Sequence, residues 1–166
     1  MNPTLRPATA DDIPAAQAIY AHHVRHGTGT FELDPPSVAE MQSRFLELSG
    51  RDYPYIVAEH DSEIVGFGYV GPFRARRAYR YTCEDSIYLH PEKRGLGIGS
   101  LLLSKLIETS TTRGFTQMVA LIGDSGNRAS VALHAKLGFE TTGTMRDVGF
   151  KFDRWLDVVI MQRSLG

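Results

Sequence analysis

The sequence predicts a mixed α/β fold in which a central sheet is flanked by helices. Segments with the apolar patterns of strands occur in the same chain as segments with helical periodicity. The two kinds of segment are interspersed along the chain rather than grouped, which favours one mixed sheet. The length of 166 residues suits a domain with its own core, so we expect residues 1–166 to form a single domain.

Each element is predicted from a local signal. Polar caps begin helices, glycines end them, and apolar runs bounded by turn residues mark strands. In chain order we expect a short strand at residues 4–7; a helix from the Thr9 cap to about Val24, broken by the glycines of residues 27–30; a helix from Pro35-Pro36-Ser37 to about Gly50; a hairpin of apolar runs at 55–59 and 64–70; an alternating strand at 81–89; a helix to about Arg113, ended by Gly114; an apolar strand at 117–122; a helix at 127–137, ended by Gly138; and strands at 140–146 and 155–162. This predicts about six to seven strands and about four helices.

A glycine-rich turn at residues 94–99 links the strand at 81–89 to the following helix. Such a turn presents unpaired backbone N–H groups and the positive end of a helix dipole to one point, which suits a pyrophosphate. The turn has neither the Lys-Ser or Lys-Thr pair of a P-loop nor the Gly-x-Gly-x-x-Gly spacing of a dinucleotide-binding turn. Taken alone, it is either an anion site or an ordinary glycine-containing loop.

Composition and charge exclude several classes of function. The formal net charge is -1, so no overall field attracts nucleic acid or an anionic membrane. Cys83 is the only cysteine, which excludes an internal disulfide and a cysteine-based metal cage. The chain has no apolar run of about 18 residues and no basic and apolar leader. We expect a cytoplasmic protein with no nucleic-acid or membrane partner and no metal.

The turn resembles the signature of the GCN5-related N-acetyltransferase (GNAT) superfamily, in which Arg or Gln is followed by two residues, Gly, one residue, and Gly or Ala. Arg94, Gly97 and Gly99 match it. The resemblance implies the GNAT acyl-CoA N-acyltransferase fold, with acetyl-CoA as co-substrate in a cleft where the strands at 81–89 and 117–122 splay apart. The residues implied to bind acetyl-CoA are Ile87, Tyr88 and Leu89 on the strand, Arg94, Gly95, Leu96, Gly97, Ile98, Gly99 and Ser100 on the turn, and Asn127, which is equally suited to cap a helix.

Nearly the whole chain is similar to the phosphinothricin and methionine sulfoximine N-acetyltransferase branch of that superfamily. The matching residues are Ile19-Tyr20, Thr30-Phe31, Gly71 to Arg74, Arg76, Tyr79, Glu84, Ser86 to Tyr88, Asn127, Ser130, His134, Gly138-Phe139, Gly149 to Lys151, Trp155 and Asp157-Val158. This similarity implies direct transfer of the acetyl group to the amino group of a small amino-acid-like substrate. It also implies a homodimer.

Two residues are candidates for the general base that an amine acceptor requires. The resemblance places Glu84 in the site, whereas an alternating strand by itself also accommodates a surface carboxylate. His134 is the second candidate, and a histidine that only packs is its alternative. A thiolate at Cys83 is disfavoured as nucleophile, because adjacent strand residues face opposite sides and Glu84 is expected to face the site.

Substrate binding is predicted for Arg74, Ala75 and Arg76, with Glu84 and Ser86, since a guanidinium binds a carboxylate or phosphinyl group through two hydrogen bonds. A solvated basic loop is the alternative. Lys151, Trp155 and Phe31 are candidates to line the pocket, although Trp155 follows a strand pattern and is expected in the core. His22 and His26 share a helix face, but we expect helix-end histidines rather than a metal site.

Rival functions remain open from the sequence. Another primary amine, such as a protein N-terminus, a polyamine or an aminoglycoside, is a different acceptor for the same chemistry, although the arginine cluster disfavours cations. A CoA-binding sensor without turnover is compatible with the same fold. A nucleic-acid-binding module lacks a basic helix face.

Overall fold

The computed structural model describes residues 2–166 and contains one seven-stranded sheet and four α-helices. This confirms the predicted fold class. The strands are β1 (Thr4–Pro7), β2 (Tyr55–His60), β3 (Glu63–Pro72), β4 (Thr82–Leu89), β5 (Gln117–Gly123), β6 (Glu140–Lys151) and β7 (Arg154–Ser164); the helices are α1 (Ile13–His26), α2 (Val38–Gly50), α3 (Ile98–Thr112) and α4 (Arg128–Lys136); short 3₁₀ helices lie at Ala10–Asp12, Arg77–Tyr79 and Pro91–Lys93.

The strand order is β1-β2-β3-β4-β5-β7-β6, and only the β4–β5 pair is parallel. A parallel pair requires a crossover, which α3 supplies between these two strands. The pairing of β4 with β5 covers only residues 82–84 and 117–119. The two strands separate beyond that point, which confirms the predicted splay in the sheet.

Two hydrophobic clusters cover the two faces of the sheet. One lies under α3 and contains the fully buried Leu102 and Leu106 together with Cys83 of β4. The other lies under α1 and α2 and contains Phe45 and Phe67, with Tyr88 of β4 packed against it. Because strand residues alternate between faces, Asp85 shares the α3 face with Cys83, whereas Glu84 and Ser86 share the α1–α2 face with Tyr88.

The structure differs from the sequence prediction at the β6–β7 hairpin. β6 continues past residue 146 to Lys151, across register shifts between Met145 and Gly149 and a positive φ of 54° at Asp147. Such a bulge breaks the period-two pattern from which strands are predicted. The placement of Trp155 in the core was wrong, since its side chain is 65% exposed. An alternating pattern separates the two faces of a strand but does not show which face another element covers. Trp155 lies on a face that is not covered.

Candidate active site

A cleft of about 620 Å³ opens where β4 and β5 separate. The glycine-rich turn and α3 form one side of it, and β5, α4 and the segment after α1 form the others. The lining includes Asp85 to Leu89 of β4, Arg94, Gly95, Gly97, Gly99 and Ser100 of the turn, Ala120 to Asp124 of β5, Asn127, Ser130, Leu133 and His134 of the α4 region, and His23 and Gly27 to Gly29. The cleft thus joins most of the residues that the sequence predicted to bind acetyl-CoA.

The turn is shaped as an anion site. Gly95 and Gly97 have φ angles of 74° and 81°, a left-handed conformation that favours glycine. Gly97 caps α3, so the unpaired amides at the start of that helix lie on the cleft. Ile98 is fully buried, Leu96 is 47% exposed, and neither lines the cleft, so the structure does not bring these two predicted residues into it.

The edge of β4 offers backbone groups to the cleft at Ile87 and Leu89. The amide of His90 donates to the carbonyl of Val65 in β3. Because the direction of hydrogen bonding alternates along an antiparallel strand, Ile87 and Leu89 direct their peptide groups away from β3. The Nε2 atom of His23 donates to the Leu89 carbonyl at 2.7 Å. His23 is a cleft residue that the sequence reasoning missed, because its position on the helix did not distinguish it from its two neighbouring histidines.

Glu84 is a half-buried carboxylate on the α1–α2 face of β4, pointing away from α3 and α4. Burial, supported by the negative charge of Asp85, raises its pKa to about 7, and the positive charge of Arg74 opposes this rise. A carboxyl group with this pKa changes protonation state at neutral pH, as a general base for an amine must. Its role as the base remains a prediction.

We expect the pH dependence of kcat/KM to show this ionisation. Because a base accepts a proton only when deprotonated, kcat/KM should fall as the pH drops through about 7 and should approach a plateau above it. Steady-state rates measured from about pH 5 to about pH 9 provide the test, because this range extends about two pH units on either side of the pKa. The affinity for acetyl-CoA, measured over the same range, is the control and should lack this limb.

A buried ion pair, Asp85 with His134, bridges β4 and α4. His134 Nε2 lies 2.9 Å from Asp85 Oδ2, its Nδ1 donates to the Ser130 carbonyl at 2.8 Å, and the two side chains are 6% and 2% exposed. Burial opposes the charge on His134, but its bonds to Asp85 and Ser130 outweigh this and raise its pKa. Both ring nitrogens are therefore engaged, and His134 lies on the opposite sheet face from Glu84.

The predicted substrate-binding residues lie in the loop after β3 and on β4. Arg74, Ala75 and Arg76 are exposed in the loop after β3, with the Arg74 guanidinium 5.1 Å from the Phe73 ring. Ser86 lines the cleft on the same face as Glu84. These assignments remain predictions.

Asn127 is at once a helix cap and a cleft residue. Its Oδ1 accepts a hydrogen bond from the Ser130 amide at 3.3 Å, and its side chain lies on the cleft. Cys83 is fully buried on the α3 face, and burial raises its pKa to about 12, so its thiolate is disfavoured at neutral pH. This geometry does not favour a covalent acetyl-cysteine step.

The segment between α1 and α2 is held against the far wall of the cleft. Lys151 is buried and its Nζ donates to the Thr30 carbonyl at 2.8 Å. A Cβ atom on Gly149 would come within 2.3 Å of the Phe31 ring, and one on Gly123 within 2.6 Å of the Thr28 carbonyl. These close approaches require glycine, a signal that the sequence contains but does not explain.

Two kinds of feature are absent from the described residues. Within residues 2–166, no cluster of three His, Cys, Asp or Glu side chains is arranged to hold a metal ion. The rings of His22 and His26 are 4.8 Å apart without a third ligand in that part of the chain. Over the same residues, no helix combines the length and hydropathy required to cross a bilayer.

Comparisons with known proteins agree with the fold and the cleft. The family model described as "Acetyltransferase (GNAT) family" matches residues 17–139. The chain is 48% identical to a phosphinothricin N-acetyltransferase of Alcaligenes faecalis, over 98% of this chain and 82% of that protein. It is 39% identical to an L-methionine sulfoximine/L-methionine sulfone acetyltransferase of Pseudomonas paraeruginosa, over 99% and 96%. A crystal structure of a phosphinothricin acetyltransferase from Sinorhizobium meliloti in complex with acetyl-CoA superposes with a TM-score of 0.97 at 48% identity, covering 100% and 90% of the two chains.

Proposed function

The chain belongs to the acetyltransferase (GNAT) family, and on that premise we propose that it transfers the acetyl group of acetyl-CoA to the amino group of a small amino-acid-like substrate. The observation that carries the proposal is the cleft at the splay of β4 and β5. The glycine-rich turn forms one side of this cleft, and Glu84 immediately precedes the first β4 residue that lines it, Asp85. Relatives that act on phosphinothricin and methionine sulfoximine support this class of acceptor over the alternatives.

The residues present fit acetyl-CoA. We assign the pyrophosphate to the amides at Gly95, Gly97 and Gly99, and the pantetheine arm to the exposed edge of β4 at Ile87 and Leu89. Acetyl-CoA supplies an activated acetyl group as a thioester.

The protein's own part in the reaction is to hold and deprotonate the acceptor. Glu84 takes a proton from the ammonium group, directly or through one water molecule, which frees the lone pair for direct attack in a ternary complex. As the N–C bond to the acetyl group forms, the C–S bond of the thioester breaks, and the CoA thiolate leaves and takes up a proton. Arg74 and Arg76 bind the acceptor's carboxylate. Orientation of the two reactants in one cleft contributes about 7–11 kcal/mol of barrier reduction, more than the base alone supplies.

The acceptor class is tested by measuring thiol release from acetyl-CoA with a panel of amines. The panel contains phosphinothricin, methionine sulfoximine, methionine sulfone, ordinary amino acids, spermidine and a peptide. We expect turnover with the amino-acid-like compounds. Activity confined to spermidine or the peptide would retain acetyl transfer and overturn the acceptor class, and binding of acetyl-CoA without any product would favour a sensor.

We further propose that the protein acts as a homodimer through the β6–β7 hairpin. β6 is an edge strand, and the hairpin exposes Val148, Phe150, Phe152 and Trp155, each at least 52% exposed. The Phe150 and Trp155 rings are 4.9 Å apart. Contiguous exposed apolar residues on an edge favour association, and a second copy brings an identical patch.

Replacing both aromatic residues, Phe150→Ser with Trp155→Ser, is expected to convert the dimer to a monomer, because the association loses its largest apolar side chains. Sedimentation equilibrium at micromolar concentration measures the mass. Leu101→Ser, at a 42% exposed position on α3, is the matched control and should leave the dimer intact. A monomeric parent protein would contradict the proposal.

A further inference from the structure

The ion pair of Asp85 and His134 lies at the inner end of the acetyl-CoA cleft. Both residues line the cleft, and Asp85 directly follows Glu84, the last β4 residue that pairs with β5. From Asp85 the strand continues for about 13 Å to Leu89, and the glycine-rich turn comes after it. With the pyrophosphate at the turn and the pantetheine arm along β4, the thioester end of acetyl-CoA therefore extends toward this pair.

The hydrogen bonds of His134 define its charge. A carbonyl oxygen only accepts hydrogen bonds, so Nδ1, which lies 2.8 Å from the Ser130 carbonyl, carries a hydrogen. Nε2 lies 2.9 Å from Oδ2 of Asp85, and an ionised carboxylate also only accepts. Both ring nitrogens therefore carry hydrogens, which makes His134 a positively charged imidazolium. Although burial opposes this charge, the bond to Asp85 raises the pKa of His134, in agreement with the assignment.

Asp85 is the group on which this charge depends. From β6 the imidazole of His134 meets the uncharged ring of Phe139, at a centroid distance of 4.9 Å. On β4, Cys83 shares the face of Asp85, and burial raises its pKa to about 12, so it is neutral. Arg163 of β7 donates to a backbone carbonyl at the end of α4, and α3 and β5 contribute the apolar side chains of the cluster under α3. Within residues 2–166, Asp85 is thus the only acidic side chain that pairs with His134.

β4 presents Glu84 and the ion pair to opposite sides of the sheet, because neighbouring strand residues alternate between faces. The amine, deprotonated at Glu84, approaches the thioester carbon from the first side. The bond to sulfur then breaks toward the second side, where negative charge develops on the thiolate. A fixed positive charge stabilises a developing anion most strongly where water is excluded, and the side chain of His134 is only 6% exposed.

We propose that Asp85 is a positioning residue that holds His134 as an imidazolium at the thioester end of the cleft, where its positive charge stabilises the departing CoA thiolate. The inference rests on the proposed function, from which it takes the orientation of acetyl-CoA and the role of Glu84. As the C–S bond breaks, its electron pair goes to sulfur. The thiolate takes up the second proton that the amine nitrogen loses, directly or through water, while His134 keeps both of its hydrogens.

The test is the pH profile of kcat for Asp85→Asn, measured from about pH 5.5 to about pH 9 with both substrates saturating. Asparagine keeps the size of the side chain and removes its charge, so burial then lowers the pKa of His134 below its ordinary value. The parent should rise through about pH 7 to a plateau. The variant should instead lose its imidazolium, and its kcat at about pH 9 should lie at least about tenfold below its own maximum.

The effect of Asp85 on Glu84 does not produce this alkaline fall. Burial and, after it, the charge of Asp85 raise the pKa of Glu84, so removing the charge moves the acid limb to lower pH. Asp85→Glu retains the charge and should keep the shape of the parent profile, even at a lower kcat. Asp11→Asn makes the same chemical change at an exposed position and is the matched control. Circular dichroism at each pH verifies that every variant is folded.

The outcomes separate the two proposals. A profile of Asp85→Asn with the shape of the parent profile, at any level of kcat, would reduce Asp85 to a structural role and overturn the inference while leaving acetyl transfer intact. An acid limb displaced to lower pH without an alkaline fall would fit a base rather than an imidazolium at His134, and would also overturn it. A parent protein that binds acetyl-CoA and acetylates no amine would overturn the proposed function and this inference together.

Discussion

Glu84→Gln is expected to lower kcat by about 10²–10⁴-fold, the range that a general base contributes. Glutamine keeps the size of the side chain and removes its capacity to take a proton from the ammonium group. Glu84 lies on the face of the sheet opposite α3 and is not among the described residues that line the cleft. The dissociation constant of acetyl-CoA should therefore not change. Steady-state kinetics and equilibrium binding of acetyl-CoA measure the two quantities separately.

Glu63→Gln is the matched control for this variant, since Glu63 is an exposed carboxylate at the start of β3. Its kcat should equal that of the parent. Unchanged turnover of Glu84→Gln at neutral pH would remove Glu84 from the role of base. The limb of the pH profile near 7 should also disappear in the variant, because the group that titrates there is gone.

Asp85→Ala is expected to lower the free energy of unfolding by about 3–5 kcal/mol, the loss found when one member of a buried ion pair is removed. His134 would remain in a site where its side chain is only 6% exposed, with its Nε2 atom unpaired. Urea unfolding followed by circular dichroism measures the change. An effect below about 1 kcal/mol, the size of an exposed ion pair, would contradict the account of this pair.

The stability of the parent should depend on pH through the same pair. The folded-state pKa of His134 is raised above its ordinary value, so the pair stabilises the protein fully below about 6.5, and this contribution is lost as the pH rises through the folded pKa. His134→Gln should remove that dependence. Asp61→Asn is the control and should leave the pH dependence of stability unchanged, because Asp61 pairs with His60 through a side chain that is 89% exposed and asparagine tolerates the φ of 50° at this position.

Local signals in the sequence predicted most of the fold. The glycines after the helices and the apolar spacing of α3 each depend on a few neighbouring residues, and the corresponding elements are present. The cap at Thr9 precedes a 3₁₀ helix at Ala10–Asp12, and α1 itself begins at Ile13. The β6–β7 hairpin was less predictable, because a bulge at Asp147 interrupts the alternation of β6. Which face of a hairpin is covered depends on distant elements, and Trp155 was misplaced for that reason.

The part of the candidate site that lies within one sequence motif was predictable. The part formed where two distant elements meet was not. Arg94 and the glycines of the turn follow one another in the chain, so their joint position on the cleft follows from local geometry. The pairing of Asp85 with His134 joins a strand to a helix across a sequence separation of 49 residues. The alternation of side chains along β4 predicts that Glu84 and Asp85 face opposite sides of the sheet. The partner of Asp85 depends on how α4 packs against the sheet, so the sequence did not predict it.

The central claim is that the protein transfers the acetyl group to the amino group of an amino-acid-like acceptor. It is tested most directly by supplying acetyl-CoA with methionine sulfone and, in parallel, with N-acetyl methionine sulfone, two compounds that differ only at the amino group. Free thiol and acetylated product are quantified together. The account predicts one thiol released for each molecule of N-acetyl product from the first compound, and no release above background from the second. Equal thiol release with both compounds, or none with either, would contradict it.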